Sequence, residues 1–175
     1  MPLRTALLFQ ADNFVGREYL DALNGAGMPP DLIATVGRMS DASVVRERER
    51  TGGQWNPPAP ENARDISHFD SLKEEALWES LRDAQIDLAI QGGIGILTPE
   101  MLEVPRIGFV NVHPGRLPEY KGNTCPEWAL YNGDPIFATA HIIDAGIDTG
   151  PVVCEGRYEV PADWDYFELR ANLYR

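Results

Sequence analysis

Asn111 and His113 are separated by one residue at the end of an apolar run, Gly108 to His113, reading GFVNVH. On a β-strand that spacing puts both polar side chains on the same face. Farther along, Asp144-Ala-Gly-Ile-Asp148-Thr-Gly150 carries two carboxylates in a glycine-rich turn. A side-chain amide can donate to an oxygen that becomes negative in a tetrahedral intermediate. An imidazole can move a proton on or off a nitrogen near neutral pH. A carboxylate can orient that imidazole, or an ordered water, and favour its charged form. Together the three side-chain types describe acyl transfer without a covalent enzyme intermediate. No serine lies in a nucleophile elbow, and Cys125 has no base beside it in sequence. A structural reading accounts for the same residues: a buried polar pair is held by a satisfied network, and aspartates among glycines form turns. On spacing alone both Asp144 and Asp148 remain candidates. A third stretch, Gln91-Gly-Gly-Ile-Gly-Ile96, follows a buried strand but lacks the GxGxxG spacing and the lysine of a P-loop. Its missing side chains instead let a flat ligand lie against the backbone.

These residues need a scaffold, and the order of elements supplies one. Leu3 to Phe9 reads as a first buried strand and Gln10 to Phe14 as a loop. Val15, Tyr19, Leu20 and Leu23 then recur at helical spacing up to Gly25 and Gly27. Strands are expected at 31–36, 65–69, 86–91, 108–113 and 137–143, with an antiparallel partner for the last at 151–160. Helices are expected at 40–51, at 126–132, after Thr98-Pro99-Glu100, and after a capping box at Ser71-Leu-Lys-Glu74 that turns Leu72, Ala76, Leu77 and Leu81 to the core. Asp163 or Asp165 caps a last amphipathic helix, Phe167 to Tyr174. Gly52 to Pro60, with two glycines and three prolines, is an exposed loop, either a linker or a lid. Alternating strands and helices give an α/β class: an open, mostly parallel Rossmann-like sheet with helices on both faces. Ligands of such sheets bind beyond the carboxyl ends of the strands, where Asn111 and His113 lie.

The 175 residues suit one domain with a substantial core. A formal net charge of −12 argues against a sequence-independent grip on nucleic acid. Arg46, Arg48 and Arg50 alternate with Glu47 and Glu49 and read as a solvated face. The two cysteines, Cys125 and Cys154, form no CxxC and no metal set with the three histidines, so no metal is expected and both thiols read as small packing residues of a reduced, cytoplasmic protein. No segment approaches membrane-spanning length, and no membrane partner is expected. Nothing in the sequence fixes the oligomeric state.

From Gly108 onward the chain resembles the folate-dependent formyltransferases, which act on glycinamide ribonucleotide, methionyl-tRNA or amino sugars. The resemblance is carried by Asn111-Val-His113-Pro, by Leu117-Pro118-x-Tyr120-Lys121-Gly122 and by Asp144-x-Gly146-x-Asp148-Thr149-Gly150. Gln91-Gly-Gly-Ile-Gly-Ile96-Leu97-Thr98-Pro99 adds weaker support upstream. The resemblance implies Asn111, His113 and Asp148 as the catalytic trio, with Asp148 chosen because it directly precedes Thr-Gly. Asp144 then braces the turn. It implies 10-formyltetrahydrofolate as formyl donor, its pterin lying against main chain near Ile96 and Leu97 and along Asp144, Ala145, Gly146 and Asp148, with no metal. The chain departs from many relatives in having His113-Pro-Gly115, where they carry a serine in the glycine's place. Arg17, Arg116 and Lys121 are candidates for holding a phosphate on the acceptor, or else surface charges. The acidic balance argues against tRNA, and an amine on a small molecule, foremost a nucleotide-linked amino sugar, is the expected acceptor. Methionyl-tRNA formylation, formyltetrahydrofolate hydrolysis and folate binding without turnover are the alternatives. The expected organisation is one catalytic domain over residues 1–175. Because no Gly or Pro stop follows the last helix, a C-terminal truncation is an open alternative.

Overall fold

A computed structural model describes residues 2–54 and 66–173. Seven strands form one sheet: β1 (Thr5–Phe9), β2 (Leu32–Val36), β3 (Ile66–Phe69), β4 (Leu88–Gly92), β5 (Gly108–His113), β6 (Ile136–Ile142) and β7 (Val152–Tyr158). The order across the sheet is β3-β2-β1-β4-β5-β6-β7. The pairings from β3 through β5 are parallel, whereas β5–β6 and β6–β7 are antiparallel. The strand order reverses at β1, which places β1 and β4 at the switch point typical of ligand clefts in doubly wound sheets.

Helices α1 (Phe14–Gly25), α2 (Asp41–Arg50), α3 (Glu75–Asp83), α4 (Pro99–Leu102), α5 (Cys125–Asn132) and α6 (Tyr166–Asn172) connect or cover the strands. Short polar caps set their starts. Asn13 accepts from Val15 N at 3.0 Å, Ser40 Oγ from Ser43 N at 3.2 Å, and Asp165 forms a full capping box with Glu168. Asn13 also reaches across the fold, its Nδ2 donating to Gly93 O at 3.3 Å and so tying the start of α1 to the loop after β4. α1 crosses the sheet very closely at Gly16, where an added Cβ would lie 2.1 Å from Phe9 Cβ.

Strand alternation divides the core between two faces. Ala6, Leu8, Ala34, Ala89 and Phe109 pack with Leu77, Trp78 and Leu81 of α3. Leu7 and Phe9 pack with Leu20 of α1 on the other face. A smaller cluster, Ala129, Ile136, Leu169 and Leu173, joins α5 and α6 to β6.

Two expectations shift by a turn or a face. Glu74, not Ser71, occupies the cap position of α3, and its Oε1 accepts from Ser71 N at 3.2 Å, so the carboxylate closes the turn ahead of the helix. Ala76 is exposed as a result, and Trp78 takes the inward position, its indole N–H donating to Leu72 O at 2.9 Å. Arg50 is not a solvated charge but spans Glu47 and Glu127, at 3.5 and 3.4 Å, between α2 and α5. The loop expected at 52–60 lies outside the described residues from position 55 on.

Candidate active site

β5 and β6 build the site by register. Asn111 pairs directly with His141, and His113 with Thr139, so four polar side chains share one face of two neighbouring strands. Thr139 is fully buried and satisfied: its hydroxyl donates to Gly115 O at 2.7 Å and accepts from Leu117 N at 3.3 Å. It thereby fixes the turn that leaves His113.

His113 is held on both sides. Its Nε2 lies 2.7 Å from Tyr120 O, a pure acceptor, so Nε2 carries a hydrogen and donates. Nδ1 faces Asp148 Oδ2 at 3.5 Å. Every proton that His113 gains or loses in the site therefore passes through Nδ1, toward Asp148.

Asp148 is the hub of the arrangement. Its Oδ2 accepts from Gly122 N at 2.8 Å, and its Oδ1 lies 3.5 Å from His141 Nε2. The residue has φ 50, a left-handed conformation that aspartate tolerates better than most side chains. This conformation aims the carboxylate back over β5 and β6, and the side chain is left 14% exposed. Asp144 does the bracing: its Oδ1 accepts from Thr149 Oγ1 at 2.6 Å and Gly146 N at 3.0 Å. Those hydrogen bonds, the hydroxyl's foremost, hold the Asp144 carboxyl below its ordinary range.

His141 was not singled out by sequence reasoning, and it is 2% exposed. Its Nδ1 lies 3.1 Å from Ile142 O and donates to it, which leaves Nε2 as acceptor for Asn111 Nδ2 at 3.3 Å. His141 therefore fixes the direction of the Asn111 amide. The signal was present in the alternation of Thr139 and His141 along an otherwise apolar strand, but it gains meaning only once β6 is known to pair with β5.

A cavity of about 210 Å³ opens beside this group. Its walls include Gln91, Gly95, Ile96, Leu97, Asn111, His141 and the loop from Asp144 to Asp148. All the residues proposed for the donor, Ile96, Leu97, Asp144, Ala145, Gly146 and Asp148, line it. His113 is not among its walls and lies behind Asp148. Ile96 is 94% exposed and Ile147 77% exposed, an unusual presentation of aliphatic side chains at a cavity.

Cys125 lies at the base of the site, its Sγ 3.3 Å from His113 Nε2, a proximity that the sequence conceals. Burial first, then the charges of Asp148 and Glu127, push its thiol from 9.0 up to about 11, so it is a neutral packing group and no nucleophile. Cys154, also expected as a packing residue, is exposed instead. Gly115 is explained by space: an added Cβ would lie 2.8 Å from Cys125 Cβ, His113 Nε2 and Tyr120 O alike. Arg17 donates to Ala11 O at 2.7 Å, and Arg116 lies over Phe137 with Glu155 at 3.5 Å, so both are engaged within the chain. Lys121 is exposed beside Gly122. Among the described residues no group of His, Cys, Asp or Glu is arranged to hold a metal ion, and no helix is long and apolar enough to cross a membrane.

The chain is similar to two curated methionyl-tRNA formyltransferases. One, from Deinococcus radiodurans, is 38% identical over 53% of this chain and 30% of its own length. The other, from Thermus thermophilus, is 32% identical over 82% of this chain and 50% of its own. The chain thus spans about half the length, or less, of these relatives. Among solved structures, the phosphoribosylglycinamide formyltransferase of Streptococcus pneumoniae TIGR4 superposes with a TM-score of 0.64 at 26% identity, covering 99% of this chain and 93% of that one. The sequence pattern of the family described as Formyl transferase matches residues 3–173, and the chain belongs to that family.

Proposed function

We propose that this chain is a folate-dependent catalytic domain that moves a formyl group from 10-formyltetrahydrofolate to an amine on a small molecule. The observation that carries the reading is a single carboxylate, Asp148, placed between two histidines at the wall of a cavity that also receives the Asn111 amide.

The cavity fits the flat head of a folate. Most of its walls come from two glycine-containing segments, 91–97 and 143–148, which include the aliphatic Ile96 and Ile147. Ile96, Leu97, Asp144, Ala145, Gly146 and Asp148 would hold the donor, which supplies an activated formyl group when bound. One Asn111 N–H is directed to His141 Nε2. The other is left to donate to the formyl oxygen as it gains charge, the interaction worth most in such a step. Asp148 is the group placed to accept the proton that the amine loses as its C–N bond forms, and to return it to the departing nitrogen. His113, its Nε2 hydrogen held by Tyr120 O, presents the Nδ1 lone pair to Asp148 Oδ2 from behind and can take the proton on from the carboxyl once Asp148 has accepted it. Asn111, His113 and Asp148 thus act as a relay, with only Asn111 and Asp148 at the cavity.

A nucleotide-linked amino sugar is the first candidate acceptor, supported by the net charge of −12, which disfavours a polyanionic RNA. The second reading, formylation of methionyl-tRNA, is favoured by the names of the curated relatives. A cytoplasmic location accords with either acceptor. The test follows conversion of 10-formyltetrahydrofolate to tetrahydrofolate by absorbance, in buffer alone and with nucleotide-linked amino sugars or charged initiator tRNA. Turnover dependent on one amino sugar supports the proposal. Turnover only with tRNA selects the second reading. Turnover in buffer alone makes the protein a hydrolase, and binding without turnover overturns the catalytic reading.

A further inference from the structure

β7 ends the sheet, and among the described residues it pairs with β6 alone. Residues 152–157 are all exposed, Val152 and Val153 included. Edge strands are commonly blunted by lysine, by proline within the strand, or by a covering element. Here Pro151 and Pro161 fall outside the strand and no lysine lies in it. The register irregularity at Ala140/His141 affects only its beginning, leaving residues 154–158 in regular pairing with β6.

The charges along this edge complement themselves. Glu155 and Arg157 are two residues apart and so share a face, opposite Thr139 and Phe137 of β6. If a second copy pairs antiparallel about a two-fold axis through Gly156, Glu155 stands opposite the partner subunit's Arg157, and Arg157 opposite the partner subunit's Glu155. Shifting the axis by one residue sets Glu155 against itself or Arg157 against itself, which destabilises the pairing. An axis at Cys154 leaves both charges without an opposite charge. An axis at Tyr158 sets Arg157 opposite the partner subunit's Glu159 but leaves Glu155 opposite the partner subunit's Pro161, beyond the strand. The axis at Gly156 is therefore the register that gives both Glu155 and Arg157 an opposite charge, and the contact is self-complementary, as a two-fold interface must be.

The present partners of these side chains do not oppose this. Arg157 contacts Glu159 through Nε at 3.0 Å, and Arg116 contacts Glu155 at 3.5 Å, all on exposed side chains where such pairs are weak. A guanidinium that meets one carboxylate through Nε can take a second through its terminal nitrogens, and the Arg157 side chain is exposed.

We propose that the chain forms a two-fold dimer in which β7 pairs antiparallel with β7 of a second copy, in register about Gly156, joining two sheets into one.

Light scattering across a wide concentration range tests this. The wild-type chain is expected to reach twice its 19.5 kDa mass. E155K and R157E, each placing like charges opposite one another twice, are expected to weaken the dimer at least about tenfold. The double variant E155K/R157E, which exchanges the two charges, is expected to restore it. Circular dichroism checks that the variants remain folded, and the double variant separates loss of pairing from loss of structure. A wild-type chain that stays monomeric throughout overturns the proposal. So does a single variant as tightly dimeric as wild type, or a double variant that fails to recover.

Discussion

The parallel part of the sheet, β3 through β5, and its antiparallel end, β5 through β7, bury different things. In the parallel part the buried side chains are mostly apolar, Ala6, Leu7, Leu8, Phe9, Ala34, Ala89 and Phe109, covered on both faces by α1 and α3, with Thr35, bonded to His68, the polar member. At the antiparallel end the enclosed residues include His113, Thr139 and His141, each hydrogen-bonded. Apolar burial stabilises in proportion to area and is non-directional. A buried polar network is tolerable only when every member has its partner, so it demands one arrangement. The first part of the sheet thus supplies stability, and the second converts that rigidity into a defined constellation. β5 belongs to both, with Phe109 in the core and His113 in the site.

That contrast is sharpest at Asp148. Asn also tolerates a left-handed backbone, so Asp148→Asn keeps the loop conformation while removing the carboxylate that faces both His113 and His141. Turnover is expected to fall by about 10²–10⁴, as for loss of an acid–base group, with the midpoint of urea unfolding little changed. Retained turnover would dissolve the distinction between the two ends. Phe109→Ala is the converse: a loss of about 3–5 kcal/mol in urea unfolding, with kcat per folded molecule close to wild type. Equal loss of kcat would mean that the core reaches the chemistry directly.

Gly115→Ala lies between them. Its Cβ would meet the His113 ring, the Tyr120 carbonyl and Cys125 at once. Overpacking of about 1–3 kcal/mol is expected, with a drop in kcat larger than that of an equally destabilising core variant, because the anchor of His113 is what must move. The smallest effect concerns pH. The Cys125 thiol is raised from 9.0 to about 11, so its contribution to stability is complete below pH 9 and is lost as pH rises toward 11. In Cys125→Ala the decline of stability over that window is expected to be shallower than in wild type, by at most about 1.4 kcal/mol per pH unit, as measured by unfolding at fixed pH values. An unchanged slope would show that the thiol is not held neutral.

Much of this was legible beforehand, for local reasons. Strand alternation, helix spacing and caps such as Ser40 and Asp165 depend on neighbours in sequence, and those elements lie within a few residues of their expected positions. Ser71 was misread as the cap, and Ala76 with it, because the Ser71 hydroxyl accepts from Lys73 N within a turn that precedes the helix, which starts at Glu75. Arg50 was misread because its partner Glu127 is distant in sequence, and for the same reason the sequence conceals His113 beside Cys125, although Cys125 is the packing residue expected.

The sequence by itself determined the alternating α/β pattern, the placing of Asn111 and His113 on one strand face, and the glycine-rich loops against which a flat ligand can lie, since periodicity and backbone freedom are properties of adjacent residues. The tertiary structure alone decided that β6 runs antiparallel to β5, which sets His141 beside Asn111. It also decided that His113 stands behind Asp148, because the nitrogen each histidine leaves available depends on which carbonyl captures the other one, Tyr120 O for His113 and Ile142 O for His141. Hydrogen-bond partners drawn from separate elements are fixed by packing.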